Sequence, residues 1–253
     1  MTHSHCGTSV KLLLPLVILA FAVFSEYSGL DIAIGRCFYD AESQSWPWKS
    51  AFLTGGILHK GGQKFVIWTM AAIFVVLVLS FFVERLRRCR KGAAYLLVGS
   101  LISPAIIALI KASTHIYIPS TLEIFGGDKP YVRLFDAAPP GLPVGHAFPG
   151  AHSSSGFAFF TLYFLLSFYK PQYRHYGLAF GLVLGALFSI TQEVRGEHFL
   201  SHDLVSLVIC WYCAWAVFYL MFRKEMGTRG ESCGCVAAGQ KESSPSEPSG
   251  VMP

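Results

Sequence analysis

Mostly apolar stretches recur six times along the chain, with polar or basic residues between them. They run from about Lys11 to Phe24, Phe65 to Val83, Ala93 to Ile110, Ser153 to Tyr169, Tyr176 to Ile190 and Leu204 to Phe222. A helix that crosses the hydrocarbon core of a bilayer needs roughly 20 such residues. The pattern therefore predicts an all-α, integral membrane bundle of six transmembrane helices over residues 1–225. The first stretch follows Lys11 as a signal peptide would, but no Ala-x-Ala cleavage pattern closes it and Glu26 and Tyr27 follow, so a retained helix is expected. Beyond it, residues 226–253 are rich in Ser, Pro, Glu and Gly and read as a disordered cytoplasmic tail.

Lys and Arg set the expected orientation. Arg85, Arg87, Arg88, Arg90 and Lys91 join the second and third stretches, Lys170 and Arg174 join the fourth and fifth, and Arg223, Lys224 and Arg229 follow the sixth. In a bundle with an even number of crossings these fall on one side together with both termini, which makes that side the cytoplasm. The outward side then holds residues 26–64, 111–152 and 191–202.

Composition agrees. Of 253 residues, 53% are hydrophobic and only 14% charged, and the mean hydropathy is +0.49. A soluble domain carries about 25% charged residues, and a disordered chain needs low hydrophobicity with high net charge. The net charge of +5 is concentrated at membrane edges and is no nucleic-acid footprint. Seven cysteines, an odd number and mostly outside the outward segments, do not form a disulfide framework.

Ionisable groups at membrane depth are costly and usually functional. Lys111, His152, Arg195, His198, His202 and Asp203 all fall at outward helix ends. In Phe148-Pro149-Gly150-Ala151-His152-Ser153-Ser154, a turn feeds a helix start whose backbone N–H groups suit a phosphate; read alone, it is equally a plain helix cap. In Arg195-Gly196-Glu197-His198-Phe199-Leu200-Ser201-His202-Asp203, two histidines four residues apart would share a helical face. That spacing also suits a metal, although the H-E-x-x-H order is absent. Lys111 alone could simply snorkel to the interface. Lys129 and Arg133 add positive charge on a Gly- and Pro-containing loop.

Together these elements resemble the type-2 phosphatidic acid phosphatase family, which also includes bacterial membrane lipid phosphatases and vanadium haloperoxidases. The resemblance covers about Lys111 to Asp203. The family's first motif, Lys, six residues, Arg-Pro, becomes Lys111 and Ile118-Pro119; its second, Pro-Ser-Gly-His, becomes Pro149-Gly150-Ala151-His152. Its third, Ser-Arg, five residues, His, three residues, Asp, becomes Thr191-Gln192, His198 and His202. Ile118 and Gln192 thus stand where the family has phosphate-binding arginines, and Arg195, one turn from Gln192, offers a replacement.

The resemblance implies a metal-independent phosphatase without cofactor. His198 attacks phosphorus, His152 serves as acid and then base, and His202, assisted by Asp203, orients His198. Lys111 and Arg195, with Lys129, Arg133 and the N–H groups around Ser153 and Ser154, hold the phosphate. It also implies a bacterial inner membrane and a site facing the periplasm. The substrate would be a lipid phosphate: lipid A, undecaprenyl diphosphate, phosphatidylglycerol phosphate or phosphatidic acid. A lipid phosphotransferase using the same phosphohistidine, and a non-catalytic transporter or binding protein for anionic lipids, stand as alternatives.

Overall fold

The computed structural model describes the backbone of residues 3–241 and the side chains of residues 12–226. Among them there is no β-strand, only two isolated bridges, and nine α-helices carry the fold. The chain begins with α1 (His3–Ser28) and α2 (Leu30–Phe38), which are bent by 73° about Gly29. Gly29 takes φ +82°, a left-handed conformation that glycine adopts without penalty. A π-helical stretch, Phe52–Gly61, runs into α3 (Gly62–Leu79). The short α4 (Glu84–Arg87) then leads into α5 (Arg90–Lys111). After a long loop come α6 (Ala151–Phe157), α7 (Phe160–Tyr169), α8 (Arg174–Val194) and α9 (Leu200–Lys241). Of the tail expected to be disordered, the backbone of residues 226–241 continues α9, and residues 242–253 lie outside the described residues.

Among the described residues, four helices are long and apolar enough to cross a membrane, or five if the bent pair α1–α2 is one span. The expected fourth stretch, Ser153–Tyr169, does not form one continuous helix, because it breaks between α6 and α7. At the break, the amide of Phe159 bonds to Gly156 O and that of Thr161 to Ala158 O, so each bond reaches back three residues instead of four and the backbone tightens. The carbonyl of Ala158 is taken up by the hydroxyls of Thr161 (3.1 Å) and of Ser100 on α5 (3.3 Å). A break in apolar surroundings is tolerated when side-chain hydroxyls satisfy the freed backbone groups.

Helix packing is set by small residues. A Cβ on Gly156 would lie 2.7 Å from the Cα of Gly185, and one on Gly177 2.8 Å from the carbonyl carbon of Leu162. Gly177, Gly181 and Gly185 form one face of α8 that lets α6 and α7 approach backbone to backbone. In apolar solvent there is little hydrophobic force between helices, so such close van der Waals packing is what holds them. An aromatic core of Tyr95, Phe157, Phe160, Phe164, Phe218 and Phe222 fills the space between α5, α6–α7 and α9. The outer surface is apolar as well; Trp68 on α3 and Leu109 on α5 are about three-quarters exposed, at 73% and 74%.

These contacts fix the directions of the helices. Lys91 at the start of α5 pairs with Glu225 on α9, and the Lys111 ammonium at its other end interacts with Asp203 near the start of α9. The helices α5 and α9 are therefore antiparallel, as are α6–α7 and α8, and the residues singled out from the sequence converge at one end. The loop of residues 112–150 folds over that end on two small apolar clusters, one around Trp46, Leu122, Phe125 and Phe199, the other Ile116, Ala147 and Phe148.

Candidate active site

Asp31 anchors the first turn of α9. Its Oδ1 accepts the backbone N–H of Ser201 (3.1 Å) and the hydroxyl of Ser25 (2.7 Å), and its Oδ2 accepts the hydroxyl of Ser201. A carboxylate there satisfies an orphan N–H and sits at the positive end of the helix dipole. Just upstream, Gly196 takes φ +70° with Trp46 packed where a side chain would go. This turn carries His198, which is 6% exposed, into the protein.

Nδ1 of His198 lies 2.8 Å from Oδ1 of Asp203, with both side chains buried. The same Oδ1 accepts the hydroxyl of Ser153 at 2.6 Å. The second motif is locked against this pair. Gly150 N–H donates to His202 O at 3.2 Å, and Gly150 O accepts the hydroxyl of Ser206 at 2.8 Å. A Cβ on Gly150 would overlap Asp203 Oδ1 and lie 2.9 Å from His198 Nδ1, so only glycine fits between the two motifs. Two residues on, His152 is buried and its Nε2 has no hydrogen-bond partner among the described residues. Its ring interacts electrostatically with His198, Arg195 and His59.

The expected pairing of His198 with His202 is corrected. α9 begins at Leu200, so His198 precedes the helix and does not share a face with His202. The two ring centroids are 6.3 Å apart, and His202 is enclosed edge-on by Phe148 and Phe199. Asp203 is the residue that meets His198.

Of the expected phosphate-binding groups, Lys111 and Arg195 reach this end of the bundle. The end of α5 is stitched to the second motif, since Thr114 Oγ1 donates to Phe148 O at 2.7 Å and the His146 ring meets Lys111 O at 3.0 Å. Arg195 is tied by Nη1 to Gln192 Oε1 (2.7 Å) and by Nε to Lys49 O (3.1 Å). Lys129 and Arg133 are not brought in. Lys129 pairs with Asp128 at 2.9 Å, and Arg133 grips Asp136 with Nε at 3.0 Å and covers the Tyr27 ring. These contacts hold the Asp128 and Asp136 carboxyls below the usual range, the hydrogen bonds from Lys129 and Arg133 being the main cause. Ser153 serves Asp203, while the Ser154 hydroxyl turns back to Ala151 O.

Two participants were not anticipated. His59, in the π-helical stretch, packs its ring against His152 with centroids 4.6 Å apart, and its Nδ1 is 3.1 Å from Gln192 Nε2. Lys49 is 3.3 Å from Glu197 and donates to Ser120 Oγ at 2.8 Å. His59 lies six residues before the second apolar stretch and outside the motifs, so the sequence alone does not single it out. Among the described residues, no group of three or more His, Cys, Asp or Glu side chains is arranged to hold a metal ion.

No solved structure matches the chain. It is 25% identical over 220 residues to the lipid A 4'-phosphatase of Francisella tularensis subsp. novicida (strain U112), covering 85% of this chain and 97% of that protein. This similarity supports a multi-pass membrane phosphatase that acts on lipids. The model of the PAP2 superfamily matches residues 92–226, over half of the chain and all of the buried His152–His198–Asp203 constellation, and the protein belongs to that superfamily.

Proposed function

We propose that this protein removes a phosphate from a lipid head group, a phosphomonoester or diphosphate, through a phosphohistidine on His198. The observation that carries this reading is the contact between His198 Nδ1 and Asp203 Oδ1. A carboxylate accepting Nδ1–H fixes the tautomer, leaving the Nε2 lone pair as the nucleophile. In the first step the His198 Nε2–P bond forms as the bond from phosphorus to the lipid oxygen breaks, and protonated His152 delivers its proton to that oxygen. Asp203 stabilises the positive charge that develops on His198. In the second step neutral His152 takes a proton from water, the water oxygen bonds to phosphorus, and the P–N bond breaks to return His198 and release phosphate. Lys111 and Arg195 neutralise the equatorial oxygens, so the chemistry is written without a metal.

The proposed topology has six crossings, with α6 and α7 together as one broken span. The arginine-rich end of the bundle (Arg85, Arg87, Arg88) is then cytoplasmic and the histidine end periplasmic, in the inner membrane of a bacterium. A site at the outer membrane plane suits an envelope lipid, and the similarity to a lipid A 4'-phosphatase favours lipid A among the substrates considered.

The test is phosphate release by purified protein in detergent, with chelator present, from lipid A, undecaprenyl diphosphate, phosphatidylglycerol phosphate and phosphatidic acid. Chelator-resistant release from at least one of them, lost in His198→Ala and in His152→Ala, is expected. Binding of these lipids with no release would assign the protein to transport or lipid binding instead.

A further inference from the structure

His59 belongs to neither of the motifs that meet at the site, yet its ring lies against His152 with centroids 4.6 Å apart and planes inclined at 52°. It sits in π-helical turns, a conformation that is rare and frequently found at functional sites.

Its tautomer follows from its neighbours. Arg195 can only donate, so the Gln192 atom 2.7 Å from Arg195 Nη1 is the amide oxygen. The Gln192 amide nitrogen therefore faces His59 Nδ1, at 3.1 Å. An amide N–H donates, so Nδ1 accepts, and the ring proton of neutral His59 is on Nε2. That Nε2–H points away from Gln192 and meets no acceptor among the described residues. Gln192, which stands where the family has an arginine, thus relays the anchoring of Arg195 to a third imidazole.

We infer that His59 is a further catalytic residue, its Nε2–H donating a hydrogen bond to an oxygen of the phosphoryl group held beside His152. This rests on the phosphatase reading above and adds to it a donor from outside the family motifs. The donor's position gives part of what the arginines missing at Ile118 and Gln192 would supply. The charged and titratable groups around His59 are Arg195, Glu197, His198 and Lys60, together with His152, which it touches.

The test is steady-state phosphate release from one lipid phosphate by wild type, His59→Phe, His59→Gln and Gln192→Glu, each verified by gel filtration in detergent. His59→Phe keeps a ring against His152 and removes the N–H. It should lower kcat by about 100-fold, the cost of losing one preorganised donor, with KM within about threefold. His59→Gln, whose amide N–H reaches about as far as Nε2, should recover about tenfold of that loss. Gln192→Glu would accept a proton from His59 Nδ1, favour the charged ring, and displace the pH profile of kcat/KM. If His59→Phe turns over within twofold of wild type, or the Gln192→Glu profile overlays that of wild type, the inference is overturned while the phosphatase reading stands. If wild type itself releases no phosphate, both fall together.

Discussion

Ser153 and Asp203, fifty residues apart in sequence, share a hydrogen bond of 2.6 Å from the serine hydroxyl to Oδ1. That oxygen also meets His198 Nδ1, so the second and third motifs are joined through one carboxylate oxygen. Asp203→Asn is expected to lower kcat by about 10³- to 10⁴-fold, because an amide can present N–H to Nδ1 and move the ring proton to the attacking nitrogen. His202→Gln should lower kcat at least about tenfold less, since the His202 ring does not contact His198. Steady-state phosphate release from the two variants makes the comparison.

Gly150→Ala is expected to abolish turnover while retaining nearly the whole apolar core. The added methyl would collide with Asp203 and lie 2.6 Å from Ser153 Oγ. Overpacking of this kind costs about 1–3 kcal/mol, so thermal unfolding in detergent should shift down by several degrees. An active Gly150→Ala enzyme would show that the two motifs are not in contact.

Arg195 is held by Gln192 and Lys49 O at the edge of the site. If it replaces the arginines absent at Ile118 and Gln192, Arg195→Ala should lower kcat/KM by about 10- to 100-fold, the worth of a charge-assisted hydrogen bond. Arg195→Lys should recover only part, because an ammonium lacks the planar fork. Lys129→Ala and Arg133→Ala, whose cations are engaged by Asp128 and Asp136, should stay within about twofold.

Two native cysteines test the orientation. Cys37 at the end of α2 and Cys89 before α5 are both exposed and sit toward opposite ends of the bundle. A membrane-impermeant maleimide applied to intact cells should label a variant with Cys37 as its only cysteine. A variant keeping only Cys89 should be labelled after permeabilisation alone. The reverse pattern would place the histidines on the cytoplasmic side.

Apolar runs made most of the helices legible, because α5, α8 and α9 each contain one run and helix is the structure such a run adopts in lipid. The break between α6 and α7 was not legible, since it depends on a hydroxyl from Ser100 on another helix. The site was legible as a set of residue types and misread in one pairing. The four-residue spacing of His198 and His202 implies a shared helical face only if both are helical, and the helix starts at Leu200. Lys129 and Arg133 add positive charge to the loop in sequence, but Asp128 and Asp136, one and three residues away, neutralise them locally. His59 lies outside the motifs, and only the fold brings it against His152.

The central claim is that His198 carries the phosphoryl group in transit, and a rapid acid-free quench of the enzyme with ³²P-labelled lipid phosphate, followed by peptide mapping, tests it most directly. An acid-labile, base-stable label on the peptide containing His198, absent from His198→Ala, is the expected result. Turnover in wild type with no such label, together with undiminished phosphate release by His198→Ala, would contradict it.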